Sequence, residues 1–178
     1  PYIPEEIIEK FSNPGNAVMD IGANIGEWTL RMANMVGSDG RVYSFEPNPL
    51  INKSLNKTLR VNNLSQVSLS QFALDNCSGD SEFTTPMDAN DRAIHGESRL
   101  GTEQGNWNIH TDVSKTKTIK VKTTTLDQFS TDNSIDRLDF VKIDVEGKEI
   151  NVLEGGRETF SRFLPALVLE VGCEEDTD

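Results

Sequence analysis

The sequence has few of the residues that mark special protein classes. It has two cysteines among 178 residues, Cys77 and Cys173. Neither stands in a Cys-x-x-Cys or metal-ligand spacing, which argues against a disulfide framework or a zinc site. Both are read as small core residues. Positive charge is scarce: 17 Lys and Arg face 29 Asp and Glu, a net charge of −12. That argues against nucleic acid as a main partner, which calls for clustered positive charge, and against docking on an anionic membrane. The longest apolar runs, such as Ala166–Leu169, are far too short to span a bilayer. The opening PYIPEEIIEKF has no basic segment followed by an apolar run, so no signal peptide is expected. No repeat or low-complexity tract is visible. A cytoplasmic, acidic, single domain over residues 1–178 is the expectation.

What is present is an alternation of short β-like runs with amphipathic stretches, the pattern of a mostly parallel sheet with helices on both faces. Strands are expected at Ala17–Ile21, Arg41–Phe45, 66–74, 81–85, 118–126, 138–145 and 166–171. A helix over 25–36 would bury Ile25, Trp28, Met32, Met35 and Val36 on one face. Asn24 and Glu27 resemble a capping box at its start. A helix over 49–62 would bury Ile51, Leu55 and Leu59, and one over 148–160 is weakened by Gly155-Gly156. Residues 86–117 are polar and without a period, so a long loop is expected there, suited to binding an acceptor. It holds both histidines, His95 and His110, and Trp107.

Charged residues stand at the ends of three of these strands, where central parallel strands should be apolar. In open α/β sheets, ligands bind outside the carboxyl ends of the strands. Asp20-Ile21-Gly22-Ala23-Asn24-Ile25-Gly26 runs from a strand through a glycine turn into a helix. Its spacing is G-x-x-x-G rather than the G-x-G-x-x-G of pyrophosphate sites, which points to a ligand without a diphosphate. Glu46 follows the turn by ~20 residues, the place of a carboxylate that accepts two ribose hydroxyls. Lys142, Asp144 and Glu146 share one face of a strand. They form the candidate catalytic group. The competing reading is a structural Lys142–carboxylate pair. Two carboxylates alone make a poor metal cage, so no metal is expected.

The chain resembles the FkbM family of S-adenosylmethionine-dependent methyltransferases. The resemblance is carried by VMDIGANIGEWT (18–29), VYSFEPNP (42–49), FALDNCSG (72–79), TTTLDQF (123–129), DFVKIDVEGKEINVLEG (139–155) and PALVLEV (165–171). The pair FEPNP and KIDVEG, in that order, is the most specific part. The resemblance implies a Rossmann-like, three-layer α/β/α fold and S-adenosylmethionine as cofactor. Asp20, Gly22, Asn24 and Gly26 would border its methionine part. Glu46 would hold the ribose, Phe72 and Ala73 would flank the adenine, and Asp144 would lie near the sulfonium methyl. The implied acceptors are hydroxyls of sugars, glycans or natural-product-like small molecules. Such enzymes close the sheet with two more strands after the one matching 166–171, and this sequence has no match to them. An exposed sheet edge is therefore expected, open to pairing with a second copy.

The implied reaction is methyl transfer to oxygen, with Asp144, Glu146, His95 or His110 as candidate bases. Two other readings stand beside it. One is a non-catalytic domain that binds S-adenosylmethionine. The other is a nicotinamide-dependent oxidoreductase, disfavoured by the glycine spacing and the lack of a Tyr-x-x-x-Lys pair.

Overall fold

The computed structural model describes residues 3–101 and 115–170. Five short, apolar segments form one parallel sheet: β1 (Ala17–Ile21), β2 (Arg41–Phe45), β3 (Val67–Ser70), β8 (Phe140–Ile143) and β9 (Ala166–Leu169). Their order is β3-β2-β1-β8-β9. The chain steps outward from β1 to β3, then crosses back to place β8 on the other side of β1. The strand order thus reverses between β1 and β8, and the carboxyl ends of these two strands border the crevice where such sheets bind ligands.

Alternation along the strands feeds two apolar layers. Val18, Val42 and Phe140 face α1 (Glu5–Phe11) and α2 (Glu27–Val36), and pack on Ile8, Met32, Ala33 and Val36. Met19, Ile21, Phe45, Val141 and Ile143 face the other way. They pack on Leu126 and Phe129 of α4 (Leu126–Asp132) and Val152 of α5 (Glu149–Gly155). Phe160 of α6 (Arg157–Phe163) closes this layer. Phe45 meets Phe129 edge-on at 4.6 Å, and burying one such ring contributes about 2–3 kcal/mol. The result is the expected three-layer arrangement. The third of the early helices, α3 (Pro49–Val61), starts at Asn48, whose side chain accepts the Leu50 amide, and packs through Leu55 and Leu59.

A second sheet was not foreseen. β4 (Phe72–Leu74), β5 (Gly79–Met87), β6 (Arg99–Leu100) and β7 (Lys115–Thr124) assemble in the order β4-β7-β5-β6 around Ala73, Phe83, Leu100 and Val121. The expected single strand over 66–74 is in fact two, broken at Gln71, because the chain leaves the first sheet there and joins the second. The expected loop over 86–117 is partly regular: β5 runs through Met87, a 3-10 turn spans His95–Glu97, β6 follows, and β7 begins at Lys115.

Other expectations need correction. Ile25 is exposed, since α2 begins two residues later. Asn24 is not the cap of α2; Gly26 stands there, and no side chain caps the helix. The expected helix over 148–160 is two helices, parted at Gly156. Cys77 is exposed rather than in the core; Cys173 lies outside the described residues. Among the described residues β9 has a neighbour on one side only, and no helix is long and apolar enough to cross a membrane.

Candidate functional site

The turn after β1 is built by backbone. The amides of Gly22 and Ala23 donate to the Phe45 carbonyl at 3.2 and 2.9 Å, tying the turn to the end of β2. Gly22 has φ +81, and a Cβ there would lie 1.8 Å from the Asp144 carbonyl oxygen. The loops after β1 and β8 therefore cross backbone to backbone, and only glycine permits it. Gly26 (φ +94) is packed against Leu55, where a Cβ would come within 2.2 Å of a methyl. Gly26 thus shapes the turn without lining the cleft.

Glu46 closes the turn from β2. Its Oε2 accepts the Asn24 amide at 2.9 Å and its Oε1 the Asn48 amide at 2.8 Å. The Asn52 side chain donates to the Glu46 and Ser70 carbonyls and fixes the backbone around it. Glu46 is 6% exposed. Burial pushes its carboxyl up to about 7, against the pull of the two amides; Asp20 adds to the rise and Lys142 opposes it. Each carboxylate oxygen keeps acceptor capacity for a second donor.

Below the cleft runs a buried polar row. Asp20 pairs in register with Ser44 on one side and Lys142 on the other. The Thr29 hydroxyl donates to Asp20 Oδ2 at 2.6 Å and contacts the Ser44 hydroxyl at 3.0 Å. Lys142 Nζ meets Asp20 Oδ1 at 3.1 Å, the Gly22 carbonyl at 3.0 Å and Asp144 Oδ2 at 3.3 Å. The Gly22 carbonyl accepts a hydrogen bond, while the two carboxylates are close charge contacts, and among the described residues Asp20 Oδ1 accepts no hydrogen bond. Burial disfavours the ammonium, but Asp20 and Asp144 outweigh it and raise its pKa above the ordinary lysine value. Lys142 is 1% exposed. It joins the β1 turn to the β8 loop from beneath the lining of the cleft.

The cleft itself measures about 670 Å³ with its open mouth. Of the residues singled out from sequence, Gly22, Asn24, Glu46, Phe72, Ala73, Asp144 and Glu146 line it. Asp20, Gly26 and Lys142 stand behind that lining. Sequence reasoning missed the opposite wall: Phe83, Gly96, Ser98 and Leu100 come from the second sheet and its 3-10 turn. Glu146 lines the cleft beside Asp144 in left-handed backbone, φ +54. Burial raises its pKa to about 7, followed by the charges of Asp144, Glu97, Glu170 and Glu149. His110 and Trp107 lie outside the described residues. Among the described residues no group of three or more His, Cys, Asp or Glu is placed to hold a metal.

Residues 20–176 match the family model described as "Methyltransferase FkbM domain". The chain is 27% identical over 175 residues to "Methyltransferase sdnD" of Sordaria araneosa, covering 89% of this chain and 66% of that protein. It is 23% identical over 163 residues to "2-O-methyltransferase NoeI" of Sinorhizobium fredii, covering 90% of this chain and 65% of that one. The chain thus spans just under two thirds of the length of these curated relatives. Among solved structures, a methyltransferase FkbM from Methylobacillus flagellatus aligns with a TM-score of 0.57 at 19% identity. That alignment covers 89% of this chain and 32% of the other, a likeness of fold.

Proposed function

The chain belongs to the FkbM methyltransferase family, and on that premise we propose that it forms the donor-binding part of an S-adenosylmethionine-dependent O-methyltransferase. The observation that carries the reading is the buried Glu46 carboxylate, pinned by two amides opposite the Gly22 turn, in a cleft whose far end is acidic. A donor with ribose hydroxyls, a cationic sulfonium and no phosphate fits these groups. The G-x-x-x-G turn lacks the pyrophosphate cradle that a dinucleotide needs.

In this reading Glu46 accepts the two ribose hydroxyls. Phe72 and Ala73, at the start of β4, offer a face to the adenine. Gly22 and Asn24 border the methionine part, with Asp20 and Gly26 fixing the turn from behind. S-adenosylmethionine, when bound, supplies an electrophilic methyl group on sulfur. The Asp144 carboxylate, held by Lys142, faces that positive charge. Glu146 takes the proton of the acceptor hydroxyl, and a carboxyl poised near neutral pH suits that task. Ser98 and Gly96 form the wall opposite it, so the acceptor enters between the two sheets. A sugar or natural-product hydroxyl is the acceptor class, in keeping with the 2-O-methyltransferase name of one relative.

Calorimetry with S-adenosylmethionine, S-adenosylhomocysteine and NAD tests the reading. Binding of the first two is expected. Glu46→Gln removes a charged acceptor of hydrogen bonds worth about 1.5–3 kcal/mol each, a loss of tenfold or more in affinity. Heat with NAD alone, or undiminished binding by Glu46→Gln, refutes it. Turnover by the full-length protein of a panel of hydroxyl acceptors then separates an enzyme from a non-catalytic binding domain.

A further inference from the structure

Glu149, the first residue of α5, is unused in the reading above, yet it is 7% exposed and stands at the turn that delivers Glu146. A buried carboxylate without a cation needs hydrogen-bond donors. Among the described residues its donors are two backbone amides: Glu149 Oε1 accepts the Gly147 amide at 3.0 Å and the Val145 amide at 3.4 Å. These two amides bracket Glu146. Glu146 and Gly147 are both left-handed, φ +54 and +95. That backbone is unfavourable for a residue with a Cβ and persists only where the surroundings impose it. Two amides converging on one oxygen across the intervening residue supply the constraint, a concavity of N–H groups filled by a side-chain anion.

We propose that Glu149 is a positioning residue for the acceptor side of the site: its carboxylate gathers the amides of 145 and 147 and keeps the Glu146 side chain turned into the cleft. The inference rests on the reading of Glu146 as the proton acceptor. Glu146 is faced there by Asp144 of its own loop, Glu97 of the 3-10 turn, Glu170 after β9, and Glu149 itself. Releasing the turn carries Glu146 away from these like charges and into water.

The test is a carbon-13 titration of side-chain carboxyls in the full chain, with Glu146→Gln assigning the resonance. In the wild type the Glu146 midpoint is expected at about 7, where burial pushes it. In Glu149→Ala its midpoint falls by more than about one pH unit, toward the ordinary glutamate range. Glu149→Gln still offers an oxygen to both amides and restores most of the elevated midpoint, which a variant that was only destabilised would not do. If Glu149→Ala does not fold, Glu149→Asp, one methylene too short to reach, replaces it with the same expected fall. An unchanged Glu146 midpoint in the folded variant, or an ordinary midpoint in the wild type, overturns the proposal. No donor or acceptor is used, so this outcome is independent of the calorimetry that tests the function.

Discussion

Replacing Lys142 by methionine keeps the length of the side chain and deletes its charge. The consequences follow from what its ammonium touches. Asp20 is 0% exposed, and its Oδ1 faces Nζ at 3.1 Å. The gross attraction is about 5 kcal/mol at an effective dielectric of about 20, largely offset by desolvation. Removing one partner abolishes the attraction and leaves the other charge buried, at a cost of roughly 3–5 kcal/mol. For a chain of this size that corresponds to a fall in melting temperature of roughly 6–20 °C. The sign with pH also follows. In the wild type the raised Lys142 pKa makes its contribution complete below ~10.4; the contribution is lost only as pH rises through the still higher folded value. In Lys142→Met the buried Asp20 carboxylate keeps the Thr29 hydroxyl but loses its counter-charge. Asp20→Asn combined with Lys142→Met removes both charges and recovers more than half of the deficit. Urea unfolding of the four proteins measures this. A cost below about 1 kcal/mol, or no recovery in the double variant, would contradict the buried-charge account.

Two further outcomes are expected. Glu46 and Glu146 both have folded pKa values raised to about 7, so the ligand-free protein loses stability as pH rises from the ordinary glutamate range near 4.3 toward 7, then levels off. Melting curves of Glu46→Gln should show a shallower slope over that window, and an equal slope would contradict the burial of this carboxylate. Gly22→Ala sets a methyl against a backbone carbonyl and should cost more than about 2 kcal/mol, while Gly26→Ala meets only the rotatable end of Leu55 and should cost less. Calorimetric unfolding that ranks the two equally would deny that the crossing with Asp144 is rigid.

The parallel sheet was legible because its strands are short apolar runs ended by turn residues, and period and breakers survive any tertiary context. The break at Gln71 was not. Residues 66–74 keep one continuous β pattern, and the change of sheet is decided by partners distant in sequence. α4 was hidden for a related reason: the alternation of β7 reads on into Leu126, although Thr125, which caps the Gln128 amide, marked the start of a helix. Ile25 was misplaced because the left-handed Asn24 and Gly26 delay the helix. At the site, Glu46 stood out as a carboxylate at a strand end. The roof residues Phe83, Ser98 and Leu100 carry no such anomaly, since ordinary apolar and hydroxyl side chains become part of a cleft only through folding. Glu149 resembles any glutamate in a first helical turn until its oxygen is seen to gather the two amides.

The seam at Gln71 has a corollary for the cleft. Under the proposed function, Glu46 and the Gly22 turn hang from the first sheet, while Phe72, Ala73 and the facing wall of Phe83 and Leu100 belong to the second, the two being linked through the three-residue β4 and the Thr125 corner. On that reading, substitutions at Phe83 and Leu100 reshape the wall and leave Glu46 and the Gly22 turn in place.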